Sequence, residues 1–202
     1  MHQMTAERLM VRDIRCPQRR SQLADEGFRA GARVLARMGL SFDAWLYFPQ
    51  LPELAEFARA IPDLPIILNH IGGMLRVGPY ANRDEEVLPT WRSGLAAVAQ
   101  CPNVYVKLGG IGQPRTGYDW SVRDVPIGSE ELAGVMAPYM NYCIEQFGPN
   151  RCMFESNFPP DKVGHSYNVL FNAFKRLSKG YSASERADMF HDTAVRAYRV
   201  EY

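Results

Sequence analysis

Two places in this 202-residue chain set proton-handling side chains directly behind short apolar runs. In Arg151-Cys-Met-Phe-Glu-Ser-Asn-Phe-Pro-Pro160 the apolar residues Cys152–Phe154 deliver Glu155, Ser156 and Asn157. Proline lacks the backbone donor of a sheet ladder, so the two prolines force the chain to turn. Ile66-Ile67-Leu68 repeats the design with Asn69 and His70, followed by Gly72-Gly73. Strand carboxyl ends are where α/β proteins keep their chemistry. There the His70 imidazole can polarise a carbonyl or hold a water. Asn157 does not titrate, so it can orient a water or donate to a carbonyl oxygen but cannot act as general base. Ser156 lacks a Gly-x-Ser-x-Gly elbow and is read as a binding residue, not a nucleophile.

Other candidates lie outside those two stretches. Lys107 sits in an apolar strand, where a buried lysine is costly unless paired, and it can hold an anionic substrate. Arg115, Tyr118 and Trp120 on the segment Gly109–Gly128 suit a small carboxylated ring, with tryptophan as a wall and arginine as a clamp. Each has a plainer alternative: a satisfied strand-end histidine for His70, a backbone-bonding turn for Ser156 and Asn157, a solvated loop for the other three. Glu155 either pairs with an arginine or faces solvent. His165 is expected on a surface loop, and His191 to be structural on the last helix.

These groups need a frame, and strand and helix patterns alternate along the chain. A charged run at Leu9–Ile14 can form a first strand. Leu23, Phe28, Ala32, Leu35 and Met38 mark a helix that Gly39 ends. A strand over Phe42–Phe48, a helix with Leu51, Leu54, Phe57 and Ile61, and the strand Ile66–His70 follow. Next come a helix over Glu85–Gln100, a strand over Asn103–Leu108, the long Gly109–Gly128 segment, and a helix from Ser129 to Phe147. After the Cys152 strand, one helix spans Tyr167–Lys179, and Ser182 with Glu185 makes a capping box for the last, ending near Tyr198. Each crossover is long enough for a parallel connection, so the class is α/β with a parallel sheet. No linker or repeat interrupts residues 1–202, which read as one domain. Five strands fit either an open parallel sheet or consecutive units of a (β/α)₈ barrel.

Composition excludes several functions. Lys and Arg number 23 against 22 Asp and Glu, which argues against a nucleic-acid or membrane surface. No segment approaches the ~18 apolar residues of a membrane span. Cys16, Cys101, Cys143 and Cys152 lack CxxC pairing, which speaks against a zinc site. Cys143 and Cys152 look like small core hydrophobes, and reduced thiols suggest a cytoplasmic protein.

Four motifs occur in order: Ser41-Phe-Asp-Ala-Trp-Leu-Tyr-Phe-Pro-Gln-Leu51, Ile67-Leu-Asn-His-Ile-Gly-Gly73, Val104-Tyr-Val-Lys-Leu-Gly-Gly110 and Cys152-Met-Phe-Glu-Ser-Asn-Phe-Pro159. From about Val11 to Tyr198 the chain resembles the amidohydrolase-related family of TIM-barrel hydrolases, the branch with sugar lactonases and pyrone-dicarboxylate hydrolase. The resemblance implies strands four to eight of the barrel, hence a partial, N-terminally incomplete TIM-barrel-like domain. It implies hydrolysis of a small cyclic ester (lactone) or related carboxylated substrate by water activation. Complete members use a divalent metal such as zinc. Here the family's His-x-His pair is absent, Phe48 replaces a histidine, and Asn157 replaces an aspartate, so no bound metal is expected. The alternative is a truncated or non-catalytic barrel fragment with a binding or interaction role. Open sheet edges near Leu9–Ile14 and Cys152–Phe154 would favour self-association.

Overall fold

The computed structural model describes residues 22–201. Four strands, β1 (Phe42–Ala44), β2 (Ile66–Leu68), β3 (Val104–Leu108) and β4 (Cys152–Phe154), form one parallel sheet in the order β1-β2-β3-β4. The register aligns Asp43 with Ile67, Ile67 with Tyr105, and Lys107 with Met153. The expected strand at Leu9–Ile14 lies outside the described residues.

Helices α1 (Glu26–Arg37), α2 (Leu51–Ala60), α3 (Asp84–Ala99), α4 (Ser129–Phe147) and α5 (Tyr167–Leu177) alternate with the strands. The carboxylate of Asp25 caps α1 through the Phe28 N–H, and the Ser166 hydroxyl caps α5 through the Val169 N–H. The chain ends with α6 (Ala183–Ala187), a π turn at Asp188–Asp192 and α7 (Thr193–Tyr198). Ser182 and Glu185 make the expected capping box.

Side-chain alternation divides the sheet into two faces. Ala44, Ile66, Leu68, Val104, Val106, Leu108 and Cys152 are buried in the large core shared with α2–α5. Asp43, Ile67, Tyr105, Lys107 and Met153 occupy the other face, where α7 lays Ala194, Ala197 and Tyr198 over Ile67 and Met153. Strand order follows the sequence without reversal, so the sheet lacks the switch point of a doubly wound fold. It is one arc of a (β/α) barrel. Ile67 and Met153 on this second face are 0% and 4% exposed beneath α7.

The amino ends of the strands are tied by polar side chains. Arg151 donates to the carbonyls of Phe147, Cys101 and Ala99, each at 2.9 Å. Asn103 Nδ2 reaches the carbonyls of Ala58, Ile61 and Leu64. This end is built for stability, leaving the carboxyl ends for chemistry.

Candidate active site

The site begins where β2 stops. The strand ends at Leu68, earlier than expected, because the next helical turn, His70–Gly73, is left-handed, with φ of 56°, 49°, 78° and 63°. Such a conformation is rare for a β-branched residue like Ile71 and costs about 1–3 kcal/mol unless the surroundings over-determine it. They do. The Trp91 indole N–H of α3 donates to the Ile71 carbonyl at 2.7 Å, and the Gly72 N–H donates to Asn69 O at 3.1 Å. A Cβ on Gly73 would stand 2.0 Å from the Leu46 carbonyl oxygen, so only glycine lets the turn dock on the segment after β1.

This turn aims His70 at the end of β4. Its Nδ1 lies 2.5 Å from Glu155 Oε1, and its backbone N–H donates to the same oxygen at 3.1 Å. A carboxylate oxygen that already takes the His70 backbone N–H is an acceptor, so the geometry suits Nδ1 as donor and turns Nε2 away from Glu155. Both side chains are largely buried, 12% and 14% exposed. The loop after β3 closes over the pair. A Cβ on Gly110 would meet His70 Cβ, Cγ and Nδ1 at 2.6 Å each.

A second polar cluster links the loops after β3 and β4. Asp161, 1% exposed, accepts the Gly112 N–H at 2.9 Å, Gln113 Nε2 at 3.1 Å and Asn157 Nδ2 at 2.6 Å. Gln113 Oε1 in turn accepts Arg115 Nη1. The Arg115 guanidinium stacks 5.8 Å from the Trp45 ring centre, and burial lowers its pKa against the opposing pull of Tyr47, Asp161 and Glu155. Tyr47 feels the converse: burial raises its phenol pKa and Arg115 pulls it down. His165 is 5% exposed between the rings of Trp120 and Phe158, and among the described residues neither ring nitrogen makes a well-formed hydrogen bond. Burial depresses its pKa, with Asp161 opposing.

His70, Glu155, Asn157 and Arg115 therefore emerge at one end of the sheet. Asn157 commits its amide nitrogen to Asp161. Ser156 accepts the Phe158 N–H at 3.3 Å and shapes the turn. Lys107 points to the α7-covered face and pairs with Asp43 at 2.7 Å, while Tyr198 Oη donates to Asp43 at 2.9 Å. Burial alone would lower the Lys107 pKa, but its bonds to Asp43 and Tyr198 outweigh that and raise it.

Tyr118 and Trp120 stack at 4.5 Å, and Tyr118 Oη takes Arg76 Nη1 at 3.0 Å and meets Tyr139 Oη at 3.2 Å. Burial drives the Tyr118 phenol up to about 12. These two rings staple the loop to α4 instead of standing free in solvent. His165, expected on the surface, is buried. Asp161 is the group that the sequence did not single out, and Glu155, for which an arginine partner or solvent was expected, pairs with His70. Glu155 finds its partner 85 residues away, and no local pattern announces that.

The parallel strand arc carries its histidine–carboxylate pair at the strand carboxyl ends, where (β/α) barrels place their active sites. The amidohydrolase family model matches residues 13–200. The uncharacterized protein y4mH of Sinorhizobium fredii is 42% identical over 173 residues, covering 86% of this chain and 52% of that protein. L-fucono-1,5-lactonase of Burkholderia multivorans is 27% identical over 182 residues, covering 90% of this chain and 58% of the lactonase. A crystal structure of an amidohydrolase from Burkholderia multivorans with bound zinc superposes with a TM-score of 0.75 at 26% identity, covering 89% of this chain and 59% of that one. The chain belongs to the amidohydrolase family, and it spans about half the length of the curated relatives it matches.

The zinc of that neighbour raises the question of fit. A catalytic zinc site takes three protein ligands. Among the described residues no three His, Cys, Asp or Glu side chains converge to hold a metal. The described donors do not make a zinc site. No helix among them is long and apolar enough to cross a membrane.

Proposed function

We propose that this amidohydrolase-family chain hydrolyses a small cyclic ester, a lactone or a related carboxylated ring, with His70 as general base. The observation that carries this reading is the His70–Glu155 pair, which fixes the proton on Nδ1 and leaves Nε2 basic at the carboxyl ends of the strands. In the step, Nε2 removes a proton from water as the water oxygen attacks the lactone carbonyl. The tetrahedral intermediate collapses, the ring C–O bond breaks, and the imidazolium returns its proton to the departing alkoxide. The product is one hydroxy acid. Glu155 stabilises the transient imidazolium and holds the ring orientation, the role a buried carboxylate plays behind a catalytic histidine. In this reading Asn157 Oδ1 orients the water, and Arg115 supplies positive charge at the same end of the sheet. The lactonase likeness supports the substrate class.

The test is hydrolysis of a panel of sugar-acid lactones and carboxylated lactones, followed by acid release. The expected result is turnover above the buffer rate, reduced about 10²–10⁴-fold in His70→Gln. Turnover that survives unchanged in His70→Gln would remove His70 from the chemistry. No turnover on any lactone would favour the non-catalytic reading.

A further inference from the structure

Arg115 is a half-buried cation whose partners among the described residues do not use it up. Its side chain makes one hydrogen bond among the described residues, from Nη1 to a neutral amide oxygen, and stacks on Trp45. No carboxylate stands within ion-pair distance of it there, and Glu155 and Asp161 act on it only as more distant charges. A guanidinium carries five N–H donors, so most remain for a ligand. A cation partly withdrawn from water gains from an anionic partner, and these donors could meet one.

What holds Arg115 in place is a carboxylate one residue removed. Asp161 is buried and takes three donors, so its position is fixed. One of those donors is the Gln113 amide nitrogen, and an amide tied through its nitrogen must turn its oxygen the other way. That oxygen meets Arg115. The order carboxylate–amide–guanidinium aligns every dipole, and the neutral spacer fixes the cation's direction without neutralising it. A direct Asp161–Arg115 ion pair would have quenched the charge that a ligand could use.

We propose that Asp161, acting through Gln113, is the positioning residue that presents Arg115 as a carboxylate-binding group, so that the site takes anionic rings in preference to neutral ones. The substrate half of this inference rests on the hydrolase reading, whereas the binding half does not.

The experiment is calorimetric titration of the full chain with phthalate, a ring dicarboxylate, at low salt. Wild type is expected to bind one phthalate, Arg115→Gln to lose binding, and Gln113→Leu to weaken it by about tenfold or more, as for loss of a charged hydrogen bond. Asp161→Asn is expected to weaken it as Gln113→Leu does. If Asp161→Asn fails to fold, Gln113→Leu alone decides. In turnover, Gln113→Leu should raise KM for a carboxylated lactone at unchanged kcat and leave KM for a neutral lactone alone. A merely structural role would move both substrates together. Wild type that does not bind phthalate, or Gln113→Leu that binds as wild type does, overturns the proposal. Arg115-dependent binding without turnover on any lactone would sink the hydrolase reading and leave the positioning role standing.

Discussion

Replacing Gly110 by alanine strikes the candidate site without removing any of its polar groups. Gly110 has φ of +73°, a left-handed conformation that costs a side-chain-bearing residue about 1–2 kcal/mol. The new methyl would stand 2.6 Å from three His70 atoms, including Nδ1. The ring cannot simply swing aside, because Nδ1 is held at 2.5 Å from Glu155. Relieving the contact means giving up that charged hydrogen bond, worth roughly 1.5–3 kcal/mol. Together the two effects predict a loss of about 2.5–5 kcal/mol. For a chain of this length that corresponds to a fall of roughly 5–20 °C in melting temperature. Gly134→Ala is the control: it lies inside α4, and a Cβ there meets nothing within 4 Å. It should gain about 0.5–1 kcal/mol from helix propensity. Thermal unfolding followed by circular dichroism reads both variants. If Gly110→Ala melted within a degree or two of wild type, the packing of this loop against the histidine would be refuted, and with it the rigidity attributed to the pair.

Further outcomes follow from the rest of the molecule. A double-mutant cycle over Lys107→Met and Asp43→Asn should return a coupling of about 1 kcal/mol, since the pair is partly exposed, and neither variant should alter phthalate binding. Loss of that binding would place Lys107 at the mouth after all. His165 has its pKa depressed below 6.5 in the fold, so the unfolded chain binds the proton first as pH falls. Its contribution to stability is whole above about pH 6.5 and is lost as pH drops through the folded value. His165→Phe should flatten that acid-side slope in urea titrations, and an unchanged slope would show that another group causes it. Ala197→Arg should lift α7 from Ile67 and Met153 and increase self-association in sedimentation velocity, whereas an unchanged distribution would mean the face is covered some other way.

The frame was legible because its signals are local. Val104, Val106 and Leu108 alternate with Tyr105 and Lys107 in the strand pattern itself, and Ser182 with Glu185 announces a helix start three residues apart. Residues 45–48 misled because a buried loop is as apolar as a strand. Leu46, Tyr47 and Phe48 are 6%, 7% and 2% exposed, yet the strand stops at Ala44. The segment Gly109–Gly128 read as a loop, correctly, but its burial came from partners far along the chain, such as Tyr139 for Tyr118. His165 looked like a surface residue beside Gly164 and Ser166, and only the tertiary arrangement of Trp120 and Phe158 encloses it. Their places at strand ends drew attention to His70 and Glu155. That these two meet, and that Lys107 meets Asp43 and Tyr198, are long-range facts with no periodicity to reveal them.

The central claim is that Glu155 holds the proton on His70 Nδ1 and leaves Nε2 open, and nitrogen-15 NMR of the imidazole reads this directly. At a pH where the ring is neutral, His70 should show a protonated Nδ1 and an unprotonated Nε2, and Glu155→Ala should release that preference. An Nε2–H tautomer in the wild-type protein would contradict the account, because the nitrogen assigned to deprotonate water would already carry a proton.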